Sequence, residues 1–201
     1  MTAKFGRDIP PFGDRRRRRV GLLGGSFNPA HDGHRHLSLE ALKHLRLDQV
    51  WWLVSPQNPL KSSREMGTLN ERLARARQIA SHPKILATDV ERRLGTTRTA
   101  RTLALLTARY PNIAFVWLMG SDNLVQVRRW WRWTQIFRAC RVAVFDRSPY
   151  SYKALAGAAA RRFNRIGLHR FWSRPLPVWT YVAMRRHPAS ATAIRNNAAK
   201  D

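Results

Sequence analysis

Cysteine is almost missing from this chain: Cys140 is the one thiol in 201 residues. A lone cysteine excludes an intrachain disulfide and leaves no partner for a thiolate metal site. It stands in an apolar stretch, where a small buried residue is expected rather than a nucleophile. Carboxylates are scarce too. There are 12 Asp and Glu against 37 Lys and Arg, a formal net charge of +25. That excess points to anionic partners: nucleotides, nucleic acid or a membrane surface. Arginine far outnumbers lysine and is spread along the chain, so much of the charge is expected to be surface composition. No apolar run has the length of a membrane span. The N-terminus lacks the apolar segment of a signal peptide, which makes a cytoplasmic enzyme the expectation. No internal repeat is visible. What is present is 44% hydrophobic residues, enough for one domain with a sizeable core.

The chain is organised around residues 20–36, VGLLGGSFNPAHDGHRH. Val20 to Leu23 reads as a buried strand, ended by Gly24 and Gly25. A loop with Asn28 and Pro29 leads to His31-Asp32-Gly33-His34. From Gly33 the apolar residues Leu37, Ala41, Leu42 and Leu45 mark a helix. Two glycines after a strand allow backbone to approach a ligand closely. A helix N-terminus offers unpaired N–H groups and partial positive charge to phosphate. Two histidines three residues apart at that junction can both face the phosphate and donate to oxygens that gain charge when phosphorus is attacked.

In order along the chain, residues 1–14 carry glycine, proline and charge without periodicity; the arginine run Arg15 to Arg19 follows, and residues 1–18 read as a flexible basic arm. That run is either a solvated lead-in or a phosphate-binding arm. Residues 19–201 read as one domain. Gln49 to Val54 is a second strand, so strand, helix and strand form a parallel crossover. The loop Ser55 to Lys61 leaves the C-terminal end of that strand, where ligands bind in open α/β sheets. Lys61 there is a phosphate ligand or an ordinary surface lysine. Helices are expected over 70–81 and 99–109, strands over 84–88, 113–119, 141–145 and 178–182, and a helix over 153–166. Residues 89–95 read as polar and turn-like. Gly120-Ser121-Asp122 follows the central strand directly. Asp122 suits the two hydroxyls of a ribose, or caps a helix. In the stretch 128–133, Trp130 and Trp133 can share a helical face, with Trp133 packed in the core and Trp130 lining a pocket for an aromatic ring, or with both in the core. An Arg/Trp stretch also suits stacking on single-stranded nucleic acid. Near the end, Ser190 and Thr192 before Ile194-Arg195 can open a helix, and with Arg195 form a phosphate clamp. Alternatively they are an N-cap and a surface arginine.

The stretch from Gly25 through His31 to His34 resembles the G-x-F-x-P-x-H-x-G-H signature of the nucleotidylyltransferase superfamily. The tail 189–195 resembles its I-S-x-T-x-I-R motif, with Ala189 where Ile is usual. Within the superfamily, the bacterial nicotinate-nucleotide adenylyltransferases are the nearest resemblance. It rests on Gly24 to Phe27, the Ser55–Lys61 loop, Gly95 to Leu103, Gly120 to Asp122, and Trp130 with Trp133. It runs from about residue 19 to 196. One segment departs: where the family reads Tyr and Asp in its Y-T-x-D-T-L run, this chain has Arg98 and Arg101, while Thr99, Thr102 and Leu103 match.

The resemblance implies a doubly wound, Rossmann-like α/β domain: a parallel sheet with helices on both faces. It implies transfer of AMP from ATP to nicotinate mononucleotide, giving nicotinate adenine dinucleotide and pyrophosphate, with Mg²⁺ arriving on ATP and no dedicated metal ligand. His31, His34 and Arg195 are then the catalytic set. Gly25, Ser26, Phe27, Gly120, Asp122, Ser190 and Thr192 complete the ATP site with them. Gly24, Lys61, Thr99, Arg98 and Trp130 border the acceptor. Nicotinamide mononucleotide or phosphopantetheine as acceptor, and an inactive nucleic-acid-binding relative, are the alternatives. The intact phosphate motifs favour nucleotides over nucleic acid as partners, with no membrane partner. Homo-oligomerisation stays open.

Overall fold

The computed structural model describes residues 9–56, 66–146 and 151–185. Strand β1 (Arg18–Gly25) leads through helix α1 (Asp32–His44) to β2 (Gln49–Val54). Helix α2 (Leu69–Ala80) leads to β3 (Ile85–Thr88), and the chain returns through α3 (Val90–Arg93) and α4 (Thr99–Arg109) to β4 (Ile113–Gly120). Then follow α5 (Ser121–Gln126), α6 (Trp133–Ala139), β5 (Arg141–Phe145), α7 (Ser151–Leu155), α8 (Ala158–Arg162), the two-residue β6 (Asn164–Arg165) and β7 (Val178–Val182). All seven strands are parallel, in the order β3-β2-β1-β4-β5-β7-β6.

The sheet is apolar on both faces because both are covered, as unbroken apolar strands require. Neighbours along β2 divide between the faces. Trp51 packs with Leu103 and Leu106 of α4 and Ile136 and Phe137 of α6. Trp52 packs with Leu37 and Ala41 of α1 and Leu73 and Ala76 of α2. Cys140 is buried, and burial pushes its thiol up to about 12, so it is inert packing.

Three expectations change. Residues 9–17 do not form a free arm. Ile9 is buried in the α4 side of the core, Tyr110 donates to the Pro10 carbonyl at 2.6 Å, and Asn112 Nδ2 donates to the Arg15 carbonyl at 2.8 Å. One isoleucine and these hydrogen bonds anchor a stretch whose composition carries no periodicity. Residues 90–93 form a short helix in place of a turn, because Asp89 pairs with Arg92 and Arg93 while Val90 and Glu91 turn inward. Gly157, at the N-cap of α8, divides the helix expected over 153–166 into α7 and α8.

Candidate active site

In a parallel sheet every strand ends on the same edge. The chain runs outward from β1 to β2 and β3, then jumps to β4 on the other side of β1. The loops after β1 and β4 therefore diverge and leave a crevice at this switch point. The loop 26–31 lies on one side of it and the first turn of α5 on the other. The arginine run lies at the start of β1, on the opposite edge of the sheet.

The two histidines cap α1 reciprocally. His31 is the N-cap residue, and its Nδ1 accepts the Gly33 N–H at 3.1 Å. His34 Nδ1 accepts the His31 N–H at 3.3 Å. A ring nitrogen that accepts carries no proton, so each imidazole is the Nε2–H tautomer. The rings lie 3.9 Å apart between centroids. Each can thus satisfy the helix end through one nitrogen and offer a donor through the other. His31 is 4% exposed and His34 somewhat more open.

The turn is held from below. Phe27 adopts φ 48°, a left-handed conformation rare outside glycine, and its ring stacks on Trp52 at 5.1 Å and leans on His34 at 4.7 Å. Trp52 Nε1 donates to Ser38 Oγ, and Ser38 donates to the His34 carbonyl, both at 2.8 Å. A buried chain of two hydrogen bonds therefore ties the His34 turn to the sheet.

The two glycines differ. The ring of Trp117 occupies the space a β-carbon on Gly24 would need, so packing accounts for that glycine and ligand approach does not. Among the described residues a β-carbon on Gly25 would meet only the Phe27 ring, at 3.5 Å, an ordinary contact. Nothing among the described residues demands glycine at 25.

Gly120 ends β4 and is the N-cap of α5, with no side chain capping that end. Asp122 is in the first turn rather than at the N-cap, so the capping reading of this carboxylate does not hold. Trp130 and Trp133 do not share a helical face. Trp130 ends a 3-10 turn with ψ 140°, Arg132 has φ 49°, and Trp133 opens α6. Both are half-buried: Trp133 packs edge-on against Phe137 and Phe163, and Trp130 meets Trp117 edge-on at 6.4 Å. Arg98 is the exposed N-cap residue of α4, and Thr99 its first helical residue. Lys61, Ser190, Thr192 and Arg195 lie outside the described residues.

Sequence reasoning missed Arg72 and Glu91, both buried close behind these loops. The signal for Arg72 was its spacing: it shares the i, i+4, i+8 stripe of α2 with Ala76 and Ala80, where an arginine has to find buried acceptors. The helix start was also readable, since Thr68 and Glu71 form a T-x-x-E capping box. Among the described residues, no three His, Cys, Asp or Glu side chains gather to hold a metal ion. Nor is any helix there long and apolar enough to cross a membrane.

Fold and crevice together define an α/β protein with two histidines at a helix start beside its switch point. The chain belongs to the cytidylyltransferase-like family, whose model matches residues 22–197. It is 51% identical over 178 residues to the probable nicotinate-nucleotide adenylyltransferase of Cereibacter sphaeroides, covering 88% of this chain and 96% of the relative. Against the protein of the same name from Parvibaculum lavamentivorans the identity is 47% over 182 residues, covering 88% and 90%. The Plasmodium falciparum nicotinic acid mononucleotide adenylyltransferase, solved in complex with NaAD, shares the fold. Its TM-score is 0.66 at 16% identity, over 90% of this chain and 83% of that one.

Proposed function

We propose that this protein transfers AMP from ATP to nicotinate mononucleotide. The observation that carries this reading is the reciprocal capping by His31 and His34, which commits both Nδ1 atoms to the backbone and makes Nε2–H the donor of each ring. A phosphate oxygen of the acceptor attacks the α-phosphorus of ATP in line. A P–O bond forms there, the bond from the α-phosphorus to the oxygen bridging to the β-phosphate breaks, and pyrophosphate leaves. The work is positioning and charge stabilisation, with no covalent enzyme intermediate. His31 and His34 donate to oxygens of the triphosphate, His34 to those gaining charge as the α-phosphorus is attacked. Mg²⁺ enters as part of the substrate, ligated by phosphate and water.

The other assignments follow from place. The backbone of Gly25 to Phe27 lines the adenosine side, with Gly120 beside it, and Asp122 meets the ribose from across the crevice. Ser190, Thr192 and Arg195 hold the β- and γ-phosphates. In support, the carbonyl of Arg185 lies 2.7 Å from His36 Nε2 on α1, which brings the chain leading to that motif beside the histidine helix. Trp130 and Thr99 hold the nicotinate ring, and Lys61 meets the acceptor phosphate. Arg98, exposed where α4 begins, supplies a cation to the ring carboxylate. That charge favours nicotinate over nicotinamide mononucleotide. The setting is the cytoplasm, and residues 9–17 pack onto the catalytic domain as part of it.

The test is formation of nicotinate adenine dinucleotide and pyrophosphate from ATP and each acceptor. The nicotinate nucleotide is expected to be preferred, and His34→Ala to lose turnover by about 10² to 10⁴. A variant as fast as the native enzyme removes His34 from the chemistry. No product with either acceptor removes the function.

A further inference from the structure

We infer that Arg72 is a positioning residue that sets the nucleotide loop against the loop after β2. The inference rests on the function proposed above. Arg72 comes from α2, is 4% exposed and directs its guanidinium under the crevice floor. Nη1 donates to the carbonyls of Ser26 at 2.6 Å and Ser55 at 2.8 Å. Nη2 donates to Pro56 at 3.1 Å and Nε to Gly67 at 2.8 Å. One planar cation thus gathers three segments: the turn between Gly25 and Phe27, the start of the loop after β2, and the approach to α2.

The choice of arginine has a physical reason. Four backbone carbonyls turned toward a buried centre need donors, and no other side chain supplies so many in a fixed plane. Water could serve carbonyls, but it brings no charge. Among the described residues the acceptors of Arg72 are all carbonyls, and no carboxylate is bonded to it. Burial lowers its pKa, yet a guanidinium stays protonated. Its positive charge, bonded to no carboxylate among the described residues, therefore sits beneath Ser26, on the side of the sheet edge where a triphosphate is to bind. In a buried setting such a charge acts over longer range than one in water.

The same floor reaches the acceptor side. Ser55, held through its carbonyl by Arg72, also hydrogen-bonds through its side chain to the Glu91 carboxyl. Thr102 Oγ lies 2.8 Å from Glu91 Oε1 and 3.2 Å from the carbonyl of Arg98. Polar contacts thus run from Ser26 to Arg98, from the nucleotide loop to the start of α4. Moving Arg72 shifts the nucleotide loop and loosens the chain that leads to the acceptor side.

The test compares Arg72→Met and Arg72→Lys in the full chain, with folding followed by thermal denaturation. A residue that only stabilises the fold would lower Tm and leave the ATP KM unchanged. For Arg72→Met the ATP KM is expected to rise about tenfold, and kcat to fall about 10²-fold, the scale of a misplaced reacting group. Arg72→Lys, keeping the charge but not the fork, should restore the ATP KM more fully than kcat. ATP KM and kcat both unchanged in a folded Arg72→Met would overturn the inference. If the methionine variant does not fold, the lysine variant decides. A fall in kcat supports the fork, and a native kcat overturns it. Binding of α,β-methylene-ATP, read by tryptophan fluorescence, separates this inference from the proposed function. With no turnover in the native protein the function fails, while about tenfold weaker analogue binding in Arg72→Met still supports the inference. Equal binding overturns it.

Discussion

The indole ring of Trp117 on β4 lies against Gly24 on β1, in the space where any other residue would carry its β-carbon. The next glycine, Gly25, has no such neighbour among the described residues. Two adjacent glycines therefore have two different reasons to be glycine. Gly24→Ala should overpack the sheet and lower stability by about 1–3 kcal/mol, with partial recovery when Trp117→Leu is added. Gly25→Ala should unfold close to the native midpoint and lose ATP affinity. Denaturant titration and nucleotide binding on both variants check this. Equal stability losses at the two positions would refute the distinction.

His31 has two tasks, which can be separated. Asparagine is a strong N-cap residue and can accept the Gly33 N–H, but it cannot replace the Nε2–H. His31→Asn should keep native stability and lose turnover by about 10²- to 10³-fold. His31→Ala should lose turnover comparably and also about 1 kcal/mol of stability with the cap. Thermal unfolding and initial rates on the pair decide it. An active His31→Asn would leave the imidazole with capping alone.

Glu91 predicts a pH dependence of stability. It is 5% exposed, and burial pushes its carboxyl from an ordinary 4.5 up to about 7, against hydrogen bonds from Thr102 and Ser55 that lower it. Between pH 4.5 and about 7 the unfolded chain has released this proton and the folded protein still holds it. Folding stability therefore falls as pH rises through that window and levels off above it. The effect amounts to about 3 kcal/mol. Glu91→Gln is neutral throughout and should gain on the native protein in Tm from pH 5 to 7.5. Parallel Tm curves for the two proteins would count against a protonated Glu91.

The tryptophans of the 128–133 stretch should separate into a core residue and a site residue. Trp133 is half-buried and packs on both Phe137 and Phe163, so Trp133→Ala should lose about 1–3 kcal/mol. Trp130, equally half-buried, meets one ring, Trp117, by its edge, so Trp130→Ala should cost less stability and raise the KM for the acceptor nucleotide. Stability measurements and acceptor titrations on both variants check it. A raised acceptor KM for Trp133→Ala alone would reverse the roles.

Much of this was readable along the chain, because the signals are local. Strand β2 over Gln49–Val54, α4 over Thr99–Arg109, β5 over Arg141–Phe145 and β7 over Val178–Val182 start and stop where apolar runs and periodicities do. The glycine turn, the paired histidines and the carboxylate after β4 were visible for the same reason: each is a short pattern at an element's end. The helical face proposed for Trp130 and Trp133 failed because a left-handed Arg132 intervenes. No propensity for that conformation is written in an arginine.

Local chemistry along the backbone was enough to set the order of the six longer strands and of α1, α2 and α4, and to place both imidazoles at a helix start. It could not choose neighbours. That Trp117 closes over Gly24, that the histidines use Nδ1 inward, and that Arg72 gathers carbonyls 46, 17, 16 and 5 residues away are outcomes of packing one strand beside another. Side chains distant in the chain meet only once the sheet has assembled. Burial then decides which polar groups must find each other.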